Sequence, residues 1–204
     1  MRYLAWLLAA IPLLAADSPK LTYAKSFPGS SPAWLEVVLE KSGAGQYKED
    51  PKDDAPLKFQ MAAADASQMF SLADKLGYFN HPLESGLKVA NMGMKTFRYE
   101  GDGRTGETKF NYSEDLDARA LTDWFERIAE TERGYIELER SVRFDKLGAQ
   151  QAILRIEILR DQKRLVAPEQ FLPMLDRVVK NESFLHMARD RAAALGEWIR
   201  AQPK

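Results

Sequence analysis

Residues 94–129 read MKTFRYEGDGRTGETKFNYSEDLDARALTDWFERIA, and the period of the chain changes inside them. Before Ser113 the apolar side chains alternate. Phe97 and Tyr99 mark one run, Phe110 and Tyr112 the next. The linking GDGRTG carries the Asp-Gly and Gly residues that suit a hairpin. After Asp115 the spacing becomes helical: Ala118, Leu121, Phe125, Ile128, Ala129 and Glu132 form a stripe that only the last residue keeps from being wholly apolar. Ile128, Thr131, Tyr135, Leu138 and Val142 continue it. Strands that give way to helices at one point predict an α+β chain.

Working upstream, AWLEVVLEKSG alternates with Leu35, Val37 and Leu39 on one face. GQYKED reads as a short return strand, and PLKFQMA alternates again through Leu57, Phe59 and Met61. Ala66, Met69, Phe70, Ala73 and Leu76 then fall at helical spacing, with Asp65 as a start signal and Gly77 as a stop. The sheet part, residues 33–113, is thus expected to hold about five antiparallel strands and one packed helix. Working downstream, FDKLG breaks the long helix and a second helix runs over 149–164. Pro168 suits a helix start and Pro173 a restart, and the last helix covers 183–200, with Leu185, Ala188, Ala192, Leu195 and Ile199 inward. This helical part, residues 114–201, is expected to share one core with the sheet part. Lysine dominates the cations of residues 17–114 (ten Lys, two Arg) and arginine those of 115–204 (four Lys, twelve Arg), which supports a boundary near Ser113.

The chain begins MRYLAWLLAAIPLLAADSPK. Arg2 precedes an unbroken apolar run ending in small residues, too short to span a bilayer, which is the layout of a secretory signal peptide over residues 1–16. Asp17 stands where lipid attachment would need a cysteine, so no stable membrane anchor is expected after cleavage. Residues 17–32 are rich in Pro, Gly and Ser and read as a loose tail. Secretion to the periplasm or beyond is the expected localisation. The 204 residues contain no cysteine, which fits export and excludes thiol catalysis, thiolate metal sites and iron–sulfur clusters. Without the leader, 28 cations face 30 anions. No basic cluster stands out, which disfavours a nucleic-acid or anionic-membrane partner.

Few residues suggest chemistry. The stretch FNHPLESGLKVANMG, residues 79–93, lies between a helix and a strand and has neither period. Its length exceeds the usual connection of about 4–6 residues. His81 and Glu84 could form an acid–base pair, but Pro82 holds the local chain extended and no serine elbow completes a triad. The alternative is that His81 caps the preceding helix. Leu83, Leu87 and Met92, with Phe97 and Tyr99, could line a groove for a small apolar ligand; alternatively the aromatics are core and the loop covers a sheet edge. Glu182, His186 and Asp190 recur every four residues and could hold a divalent metal, or form a solvated row of ion pairs. EDPKDD lacks the ligand spacing of a calcium loop, and GDGRTG is not a phosphate loop. No cofactor is expected.

KVANMGMKTFRYE (88–100), KFNYSE (109–114) and DWFERI (123–128) resemble a family of uncharacterised exported bacterial proteins, over most of residues 30–200. The resemblance implies export and an α+β build. It implies no activity, and no site residue comes with it. The expectation from residues and resemblance together is a soluble, exported binding module without catalysis, meeting an envelope protein. A carrier of a small apolar ligand and a hydrolase or metal enzyme are the alternatives.

Overall fold

The computed structural model describes residues 18–202; the leader expected at 1–16 lies outside them. Six antiparallel strands form one sheet: β1 (Lys20–Ser26), β2 (Trp34–Glu40), β3 (Ala44–Lys48), β4 (Leu57–Gln60), β5 (Met94–Gly101) and β6 (Arg104–Phe110), in the order β4-β3-β2-β1-β5-β6. Five helices follow the pattern of the sequence: α1 (Ala63–Lys75), α2 (Leu116–Phe144), α3 (Ala149–Asp161), α4 (Leu172–Lys180) and α5 (His186–Arg200). The architecture is α+β, with one helix inside the sheet part and a helical region after it.

The strand beyond the expected five is β1, and it corrects the reading of residues 17–32 as a loose tail. KLTYAKS pairs with β2 on one side and β5 on the other. Its Leu21 and Tyr23 are fully buried. Two inward side chains suffice here because both neighbours supply ladder hydrogen bonds. The Pro-, Gly- and Ser-rich residues that suggested a tail belong to the turn between β1 and β2, where Phe27 N–H donates to the Ala33 carbonyl at 2.8 Å.

Register keeps one face of the sheet apolar. Tyr23 faces Val37 and Phe97, and Leu21 faces Leu39 and Tyr99. Tyr23 stacks on Phe125 of α2 with ring centroids 5.1 Å apart, and Phe97 packs against Phe79 and Phe110 at the same spacing. Such pairs add about 0.5–1.5 kcal/mol each beyond burial. Among the described residues the opposite face carries no helix. Its charges pair across strands instead: Glu36 with Lys48 at 3.2 Å, and Arg98 with Glu107 at 2.9 Å.

Helix α2 decides the rest. Asp115 caps it, accepting the Ala118 N–H at 2.9 Å. At about 1.5 Å per residue its 29 residues are far longer than the sheet needs. Its first half, through Leu121, Phe125 and Ile128, covers the sheet together with α1. Its second half, through Leu138 and Val142, packs with α3, α4 and α5. The expected single shared core is therefore two apolar clusters threaded on one helix. Thr131 and Glu132, buried polar residues on α2, stand between the two clusters. The Thr131 hydroxyl accepts the Val166 N–H at 3.1 Å, fixing the α3–α4 connection against this joint.

Candidate functional site

The 79–93 stretch is tied down at three points. Leu83 is buried in the sheet cluster. Glu84 accepts the Asn111 N–H at 2.6 Å and the Ser85 N–H at 3.1 Å. Asn111 closes the loop, accepting the Met92 N–H through Oδ1 at 2.7 Å and donating through Nδ2 to the Ala90 carbonyl at 3.0 Å. The bond from Asn111 N–H is what holds the Glu84 carboxyl below its ordinary range. That carboxylate is committed to backbone and makes no hydrogen bond to His81. His81 is exposed, with its ring beside Gly77, and the helix-end bond expected of it is made by Asn80, whose Nδ2 reaches the Gly77 carbonyl at 3.1 Å. Phe97 and Tyr99 are core residues. Leu87 and Met92, each 51% exposed, lie outside the packing. The five proposed groove residues are thus split between interior and solvent.

The row Glu182, His186, Asp190 is also divided. Helix α5 begins at His186, not at residue 183, so Glu182 lies before it. His186 Nδ1 stands 3.4 Å from Asp190 Oδ1, with both side chains well exposed. Among the described residues no three His, Cys, Asp or Glu side chains gather to hold a metal. His81 and His186 both face solvent on different halves of the chain.

Perturbed groups lie elsewhere. At one end of the inner sheet face Glu126 Oε1 accepts from the Tyr23 hydroxyl at 2.7 Å and from Lys25 Nζ at 2.8 Å. Beside them Lys95 is buried, donating to the Asn111 carbonyl at 2.8 Å and the Gly93 carbonyl at 3.2 Å. Burial, then the Lys25 charge, lowers its pKa. Both its bonds go to backbone, so Lys95 serves to anchor the two ends of the 93–111 segment. At the joint of the two halves Glu132, 1% exposed, accepts from Gln170 Nε2 at 2.8 Å, and its other oxygen has no protein partner. Burial pushes its pKa up to about 7.

Beside that joint the two halves leave a crevice of about 740 Å³. Met61 and Asp65 approach from the sheet half, Arg127 from α2, Leu165 to Gln170 from the α3–α4 connection and Trp198 from α5. Ala167 holds a left-handed backbone, φ 48°, where it turns the chain into Pro168. The Arg127 guanidinium lies 4.3 Å over the Trp124 ring. Its Nε is buried without a partner, as is Gln170 Oε1.

A second unassigned surface caps the far end of the helical half. Phe144 is 82% exposed, Leu147 73%, Met187 55% and Leu185 44%. The α2–α3 and α4–α5 turns and the helix ends beside them touch: Gln150 Nε2 of α3 meets Met187 Sδ of α5 at 2.9 Å, and Lys146 Nζ lies 5.9 Å over the Phe184 ring. Leu185 was expected to face inward; because the helix starts at His186, three residues later than expected, Leu185 caps α5 instead and its side chain reaches solvent. The sequence signal was present in FDKLG, which places two large apolar residues in a five-residue break where turn chemistry favours polar ones. No protein-family model and no curated protein matches the chain.

Proposed function

We propose that the protein is an exported interaction module of the cell envelope that docks a partner protein at the apolar end of its helical half. The observation that carries this reading is the exposure of Phe144, Leu147, Leu185 and Met187 on two touching turns. Contiguous apolar side chains left in water mark contact surfaces. Polar and charged groups flank them: Arg143 pairs with Glu139 at 2.8 Å, and His186 Nδ1 lies 3.4 Å from Asp190 Oδ1. A mixed polar rim around an apolar centre fits a protein surface better than an anionic bilayer, which recruits clustered cations. Export rests on the leader-like N-terminus and on the resemblance to exported bacterial proteins. No helix among the described residues is long and apolar enough to cross a membrane.

The test is photo-crosslinking in cells of the native host, with the photoreactive residue at Leu147 and, as control, at Lys58 on the open sheet face. A discrete adduct at position 147, absent at 58 and abolished by Phe144→Asp, is the expected result. Identical adducts at both positions, or an adduct indifferent to Phe144→Asp, would end the proposal.

A further inference from the structure

We infer that the crevice between the two halves binds a small monocarboxylic acid, its apolar or aromatic body against Trp198, Met61 and Leu165 and its carboxylate on Arg127. The inference is independent of docking at the helical end. The volume of about 740 Å³ lies within the roughly 300–1,000 Å³ of small-molecule sites. The lining is mostly apolar, as such sites are, with a few polar groups to orient the guest.

Arg127 supplies the charge complementarity. Arg133 and Arg143, on the same helix, each pair with a carboxylate, Glu49 and Glu139. Among the described residues Arg127 pairs with none. Arg119 and Arg140 are unpaired too, but they lie in open water, whereas Arg127 is half-buried in the wall of the crevice. Its guanidinium carbon lies 4.3 Å over the Trp124 ring, a contact that limits its freedom. A guanidinium held against a ring, partly desolvated and without a paired carboxylate is pre-organised for a carboxylate fork. Asp65 and Glu169 also line the crevice. They raise the cost of each negative charge on the guest, so a single carboxylate matched to Arg127 is tolerated better than a diacid or phosphate.

Two probes test this with the whole protein: laurate for an alkyl body and indole-3-propionate for an aromatic one. Dodecanol and dodecyltrimethylammonium serve as neutral and cationic controls, and titration calorimetry is the readout. At least one acid should bind with a submillimolar Kd, and the cation should not bind. Arg127→Met should weaken the acid about tenfold or more while leaving dodecanol unchanged. Leu165→Trp, at a half-buried position, fills the crevice and should block acid and alcohol alike; it decides the matter if loss of the Trp124 stack unfolds Arg127→Met. Failure of both acids to bind, equal binding of acid and cation, or acid binding untouched by Leu165→Trp would each overturn the inference.

Discussion

Glu132 shows how much one side chain can set. It lies on the inward stripe of α2, 1% exposed, with a single hydrogen bond, from Gln170. Burial raises its pKa from 4.5 to about 7, so between those values the folded chain holds a proton that the unfolded chain has lost. Stability from this group is therefore present below about pH 4.5 and falls as pH rises toward 7, by up to about 3 kcal/mol. Glu132→Gln keeps the bond to Gln170 and removes the titration. Urea unfolding at pH 5 and pH 8 should show the variant gaining on the parent at the higher pH; an equal difference at both pH values would refute the assignment. The burial of Glu132 was legible, since it interrupts an otherwise apolar stripe. Gln170, 38 residues away, was not, because nothing local couples the α3–α4 connection to that position. Nor was the role of Asn111, whose side chain closes a loop that begins before β5 and ends at its start.

At the scale of elements, close approach explains two glycines in opposite ways. A Cβ on Gly134 of α2 would stand 3.6 Å from Ile156 Cγ1 and 3.9 Å from Leu159 Cδ1, ordinary contact distances. A Cβ on Gly106 of β6 would stand 2.0 Å from the Tyr78 carbonyl oxygen, because the one-turn 3-10 segment Gly77–Phe79 crosses that strand. Gly134→Ala should stabilise by up to about 1 kcal/mol, chiefly through helix propensity. Gly106→Ala should destabilise, since backbone must move. Thermal unfolding of the pair checks both signs. Periodicity marked the helices and most strands well: α2 begins three residues past the switch at Ser113, and Pro173 sits at the restart that became α4. It failed at β1, where the flanking Pro, Gly and Ser outweighed two inward residues. It failed again at α5, whose first turn was assigned one turn too early. The first miss arises where tertiary pairing, not local pattern, sets the element.

Across the whole molecule, two clusters depend on one continuous helix. Unfolding either cluster exposes half of α2, which cannot remain helical at no cost when its apolar face is wet. The halves should therefore unfold together. Amide exchange in rising urea should show β1 and α5 losing protection at the same concentration. Arg133→Pro breaks the helix at the joint, costing about 3 kcal/mol or more, and should separate the two transitions. If they are already separate in the parent, the coupling described here is wrong. The sequence boundary near Ser113 marks where secondary structure changes; the physical division of the core lies further on, around Thr131 and Glu132, and no shift of composition announces it. The central place of β1 bears on timing. This segment leaves the ribosome first among the described strands, yet β5, one of its two partners, emerges only after β2, β3, β4 and α1. Until then one edge of β1 is bare, open to a chaperone, a neighbouring chain or a wrong partner strand. Whatever escorts the nascent chain has its main task in that interval, and substitutions that slow the arrival or pairing of β5 should lower yield more than they lower the stability of the protein that does fold.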